Sequence, residues 1–231
     1  MPTDYARRLL AIERTAEGNA HLGWMLAFVA GATNAGGFLA VRQYTSHMTG
    51  MISAAADGLV LGQPQAVVTA IGALLSFIAG AACTSLLVNF GRQRQAQSIF
   101  ALPLLLEAAC LIVFGLMGAW LQGLRALFIP ATVSVLCFTM GLQNALVTKL
   151  SHAEIRTTHM TGIVTDIGIE LGKMLYWNAN DSARPRVASN HARLAVLCGL
   201  LGSFFGGGVA GALGFKVRGY AATVPLALLL C

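Results

Sequence analysis

Charged side chains are scarce in this sequence. Only 10% of its 231 residues are Asp, Glu, Lys or Arg, while 56% are hydrophobic, and the mean hydropathy is +0.70. An ordinary soluble domain carries roughly 25% charged residues. The composition therefore excludes that class and predicts an integral membrane protein whose main partner is the lipid bilayer.

Several patterns that carry chemistry are also missing. The sequence has no Gly-x-Ser-x-Gly element and no His-Glu-x-x-His element, so neither hydrolase pattern is present. The 15 Lys and Arg residues form no basic stripe that would follow a nucleic acid. The five cysteines lie apart in apolar segments and imply no disulfide framework. We expect no enzyme activity, no cofactor, no metal site and no nucleic-acid partner.

Long apolar runs are what the sequence does contain. They lie at about 22–41, 66–90, 99–122, 125–148 and 191–215. Runs of about 20 apolar residues cross the bilayer as helices, because lipid offers no partners to unpaired backbone groups. The segments 46–62 and 158–177 are shorter and more polar, and the apolar piece 220–231 is too short to cross alone. We predict an all-α, polytopic membrane protein with about six spans plus short or broken helices.

An internal repeat organises the chain. Gly-Ala-Thr-Asn-Ala at 31–35 and Ser-His-Met-Thr-Gly at 46–50 return as Gly-Leu-Gln-Asn-Ala at 141–145 and Thr-His-Met-Thr-Gly at 158–162. The order is the same in both copies, with two extra residues between the elements in the second. We predict a cytoplasmic N-terminal arm over 1–21 and one membrane domain over 22–231, with repeats at about 22–122 and 125–231.

The distribution of Lys and Arg favours one topology. If every segment crosses, the two sides of the membrane receive equal numbers of these residues. If neither short segment crosses fully, eleven lie inside and four outside, which satisfies the positive-inside rule. This topology places the N-terminus in the cytoplasm. It also makes the two copies inverted, as in many secondary transporters.

The two repeated motifs supply candidate solute-binding residues. Ser46 has the chemistry of a helix N-cap, and a helix that begins inside the membrane directs free N–H groups and a positive dipole end at an anion. Asn34 at membrane depth has the alternative role of a hydrogen bond between helices. The predicted solute-binding residues are Asn34, Ser46, His47, Thr49, Asn144, Thr158, His159 and Thr161.

A polar face on the second short segment supplies candidates for ion coupling. At about 100° per residue, Asp166, Glu170 and Lys173 lie within about 40° of His159. A histidine and desolvated carboxylates can exchange protons, whereas the structural alternative is a Glu170–Lys173 ion pair that fixes helix register. The predicted ion-coupling residues are Asp57, Glu107, Asp166, Glu170 and Lys173.

These features favour a secondary transporter of a small polar or anionic solute, with its site between the two short helices. A non-transporting membrane scaffold is the main alternative. An intramembrane enzyme using Ser46 or Thr161 with a histidine, and a haem or metal site held by His47 and His159, have less support. The sequence leaves the oligomeric state open, and a homo-oligomer is compatible with it.

The paired motifs resemble those of the YoaK-like family of bacterial multi-span membrane proteins. The resemblance rests on Gly-x-x-Asn-Ala followed by His-Met-Thr-Gly in each half, and it covers nearly all of 20–230. It implies an inner-membrane protein of about six spans. It implies no particular substrate or reaction.

Overall fold

The computed structural model describes residues 16–96, 98–120, 125–150, 160–176 and 187–230. These residues form α-helices and no strand. In chain order the helices are α1 (Ala16–Val41), α2 (Met48–Val60), α3 (Pro64–Gln93), α4 (Ala101–Trp120), α5 (Arg125–Leu150), α6 (Met160–Leu175), α7 (His191–Arg218) and α8 (Thr223–Leu230). A 3₁₀ turn, Gly219–Ala222, joins α7 to α8.

Five helical segments among the described residues are long and apolar enough to cross a bilayer. They are Ala20–Val41, Pro64–Gln93, Ala101–Trp120, Phe128–Lys149 and His191–Leu230, the last comprising α7, the 3₁₀ turn and α8. The predicted all-α, multi-span class is confirmed. By contrast α2 has 13 residues and α6 has 16, fewer than the roughly 20 that span the hydrocarbon core.

Helices α1 and α7 approach each other at backbone distance. A methyl group on Gly31 would meet the carbonyl of Phe204, and one on Gly207 would meet the carbonyl of Phe28. The Trp24 indole donates to the Val196 carbonyl at 3.2 Å near the start of the pair. Small residues allow such close packing between membrane helices, where hydrophobic burial supplies no net driving force.

Helices α3 and α5 make the same kind of contact, through residues that include the repeat equivalents of Gly31 and Phe28. A methyl group on Gly141 would meet the carbonyl of Phe77, and one on Gly80 would meet the carbonyl of Phe138. In the repeat, Gly141 corresponds to Gly31 and Phe138 to Phe28. The first long helix of each copy therefore packs against a long helix of the other copy: α1 against α7, and α5 against α3.

The long helices alternate in direction. Residues later in α1 contact residues later in α7, from Trp24 with Val196 to Gly36 with Phe215, so this pair is parallel. Along α1 and α5 the contacts run in opposite senses: Gln143 donates to the Leu26 carbonyl at 3.0 Å, whereas Val41 shares a cluster with Val133. The first helices of the two repeats are therefore antiparallel.

Each short helix fills a groove between one pair of long helices, and the residues that do so correspond between the copies. Met48 and Met51 of α2 pack with α3 and with Cys137 of α5. Met160 and Ile163 of α6 occupy the matching positions, in a cluster with α7 and with Ala27 of α1. The repeat seen in the sequence is thus also a repeat of packing.

Two adjacent glycines of α7 provide a test of the close contact. Gly207→Ala should destabilise the protein by about 1–3 kcal/mol, because the added methyl group overlaps the Phe28 carbonyl. Gly206→Ala should cause no loss, since nothing lies within 4 Å of a methyl group there. The measurement is the Tm of the two variants in detergent, and equal Tm values would contradict the packing.

Candidate functional site

Both short helices begin beside the middle of a long helix. Met48 and Phe77 pack against the same cluster, and Phe77 lies about 20 Å along α3 from its start. Met160 packs in a cluster with Leu200 and Phe204, well inside α7. The start of α2 therefore lies beside the interior of α3, and the start of α6 beside the interior of α7, as the broken-helix interpretation requires.

Asn34 and Ser46 are brought together at the start of the first short helix. The Ser46 hydroxyl donates to Asn34 Oδ1 at 3.0 Å, which ties the segment before α2 to a point two turns inside α1. The predicted N-cap role of Ser46 is wrong. His47 occupies the N-cap position and makes no side-chain capping bond, and the Ser46 hydroxyl donates to Asn34 on α1.

The other candidates of the first copy are accessible. His47 and Thr49 are exposed, and the imidazole of His47 lies against Gly50, where a methyl group would collide with it. Asp57 is exposed at the far end of α2, about 15 Å along the helix from its start. The structure therefore keeps His47 and Thr49 beside Ser46 but separates Asp57 from them.

The second copy differs around its asparagine. Asn144 is buried and its amide donates to the Met140 carbonyl at 2.9 Å within α5. Thr161 is exposed in the first turn of α6. The candidates Thr158 and His159 lie outside the described residues.

The charged residues of α6 form the polar face that the periodicity predicts. Lys173 Nζ lies 3.0 Å from Glu170 Oε1, so the ion pair of the structural alternative is present. Arg193 at the start of α7 lies 3.0 Å from Asp166 and 3.9 Å from Glu170. Sequence analysis did not identify Arg193, because only the fold brings the start of α7 beside α6.

Glu170 is held in its ionised form. Its side chain is 1% exposed, and Oε2 accepts from the Asn190 backbone N–H at 2.8 Å. That hydrogen bond and the Lys173 ammonium hold the pKa of Glu170 below its usual range. In this arrangement Glu170 anchors α6 to the start of α7. The Asn190 side chain caps α7, because its Oδ1 accepts from the Arg193 N–H.

Glu107 lies apart from both short helices. It is fully buried in α4, and neither carboxylate oxygen has a hydrogen-bond partner among the described residues. Within the same part of the chain, no group of three or more His, Cys, Asp or Glu side chains could hold a metal ion.

The chain is similar to known membrane proteins. The family model described as "Protein of unknown function (DUF1275)" matches residues 22–231. The chain belongs to this family. It is 29% identical over 158 residues to the UPF0700 transmembrane protein YoaK of Bacillus subtilis (strain 168). The aligned region covers 66% of this chain and 67% of that protein. No solved structure matches.

Two acidic residues of α6 provide a matched pair for a stability test. Glu170→Ala should lower the Tm more than Asp166→Ala, because Glu170 is buried whereas Asp166 and Arg193 form a solvent-exposed pair. Since its pKa is lowered in the folded protein, the stabilisation by Glu170 is complete above its ordinary range, about 4.3, and is lost as the pH falls through the lowered value. Thermal unfolding in detergent measures both effects, and a larger loss with Asp166→Ala would contradict the anchoring role.

Proposed function

We propose that the protein is a secondary transporter of a small polar or anionic solute, with a binding site between the starts of α2 and α6. The observation that carries the proposal is the Ser46–Asn34 hydrogen bond. It holds the start of a helix too short to span beside the interior of α1. A segment that only connected two spans at the membrane surface would not need this attachment.

The directions of the helices support an inverted repeat. The equivalent helices α1 and α5 are antiparallel, and α2 packs near the C-terminal end of α1 whereas α6 packs with Trp24 and Ala27 near its other end. Two short helices that enter from opposite sides would direct their N-termini towards the same depth. Broken helices in inverted repeats hold the substrates of several transporter folds at that depth.

The chemistry of helix starts supports a polar or anionic solute. The first turn of a helix carries unpaired N–H groups and the positive end of the helix dipole. At the start of α2 the exposed His47 and Thr49 side chains add hydrogen-bonding groups, and no acidic residue lies in the first turn of α2 or α6. This arrangement favours solutes that accept hydrogen bonds.

The proposal includes an orientation, with the N-terminus and the turn at Arg92 and Arg94 in the cytoplasm of a bacterial cell. Under it, α2 enters and leaves on the external face. Arg42→Cys and Gln63→Cys, before and after α2, should therefore both react with a membrane-impermeant maleimide in intact cells, whereas Gln93→Cys should not. These experiments require a background in which the native cysteines are replaced. If only one of the first two positions is labelled, α2 crosses the membrane and the proposed topology fails.

A flux assay tests the transport proposal directly. Liposomes containing the purified protein should swell faster than protein-free liposomes in at least one of chloride, formate, phosphate, urea or glycerol, as followed by light scattering. Ser46→Ala should slow that uptake by up to about tenfold, because loss of a hydrogen bond worth about 0.5–1.5 kcal/mol releases the start of α2 from Asn34.

Ser53→Ala is the matched control, since Ser53 lies on the same helix with an exposed side chain. Its uptake should equal that of the unmodified protein. Absence of uptake of every solute in the series would contradict transport of this class and favour the membrane scaffold.

A further inference from the structure

Glu107 is the most isolated carboxyl group of the described structure. It lies about 9 Å from the start of α4, one of the five candidate spans, and its side chain has no exposed surface. Both of its oxygens lack a hydrogen-bond partner among the described residues. An ionised carboxylate in such a place carries a large desolvation cost without the partner that normally offsets it.

Gln143 is a second buried group with unused hydrogen-bonding capacity. Its Nε2 donates to the Leu26 carbonyl of α1 at 3.0 Å, which fixes the direction of the amide. Its Oε1 is buried and has no partner among the described residues. An amide oxygen in this position needs a donor.

The register of α4 and α5 brings these two residues to the same level. The two helices are antiparallel: Phe114 of α4 and Leu136 of α5 share a cluster, and one turn further along the interface Cys110 is a neighbour of Thr139. One helical turn further, α4 reaches Glu107 while α5 reaches Gln143. Leu26, whose carbonyl receives the Gln143 amide, also shares a cluster with Ala108 of α4.

We propose that Glu107 is a proton-binding residue whose protonated carboxyl group donates a hydrogen bond to Gln143 Oε1. One proton converts the carboxylate into a neutral acid and supplies the donor that the amide oxygen lacks. This extends the proposed transport function, because the proton would be released and regained during each cycle and would couple solute movement to the proton gradient.

A bound metal cation explains the same oxygens less well. Glu107 and Gln143 leave three buried side-chain oxygens without a partner among the described residues, whereas hard cations in proteins take six or more oxygen ligands, waters included. A single proton requires only one donor–acceptor pair. The oxygen count therefore favours the proton.

No charged side chain of the described residues offsets the burial of Glu107. The titratable neighbour of Glu107 is the thiol of Cys110 on α4, which is itself near the thiol of Cys83 on α3 and Thr139 of α5. Leu26 of α1 and Leu226 of α8 share a cluster with Leu104, Ala108 and Leu111, which flank Glu107 on α4. Proton binding at this point is thus controlled by burial and by the amide.

Infrared spectroscopy tests the site without any knowledge of the solute. The protein in lipid at neutral pH should show the carbonyl band of a protonated carboxylic acid, and Glu107→Gln should remove it. Gln143→Leu should shift the band to higher frequency, because the hydrogen bond is lost. Asp57→Asn, which alters an exposed carboxyl group, is the control and should leave the band unchanged. Absence of the band in the unmodified protein, or its persistence in Glu107→Gln, overturns the proposal.

Transport measurements separate the site from the proposed function. In liposomes, an imposed pH gradient should drive accumulation of a solute that the unmodified protein admits, and Glu107→Gln should lose this accumulation while keeping downhill uptake. If the unmodified protein admits no solute but the infrared band behaves as expected, transport fails and the proton site stands. If sodium at constant pH removes the band, or if a sodium gradient drives accumulation in place of the pH gradient, the site binds a metal cation and the proton proposal fails.

Discussion

The structure depends on backbone contact at glycines of its long helices. Gly31 and Gly207 bring α1 against α7, and Gly80 and Gly141 bring α3 against α5, each at a point where a methyl group would overlap a carbonyl. In a bilayer, helices are not held together by exclusion of water, so close van der Waals packing has to supply much of the association. These contacts join the two repeats, because each pair contains one helix from each copy.

The short helices rest on the grooves that these pairs create. Phe77 and Phe204 contribute their backbones to the glycine contacts and their side chains to the clusters that hold α2 and α6. Widening either long-helix pair would therefore also disturb the short helix beside it. This is the physical connection between the packing of the repeat and the site that we propose at its centre.

Two buried glutamates show how differently the fold treats the same side chain. Glu170 accepts from the Asn190 N–H and faces Lys173 and Arg193, so its charge is compensated. Glu107 meets no such group among the described residues. The sequence places Lys173 three residues after Glu170 and no charged residue near Glu107 in its helix, but only the fold brings Asn190 and Arg193 to Glu170.

The sequence by itself determined the membrane class, the positions of the long helices and the repeat, because apolar run length and motif spacing are local properties. It also determined that Asp166, Glu170 and Lys173 share a face, since helical periodicity places them there. Only the tertiary structure decided what each polar group contacts: Ser46 bonds to Asn34 instead of capping its helix, and Arg193 reaches Asp166. Each of these contacts joins two separate segments of the chain, so it forms only when those segments pack together.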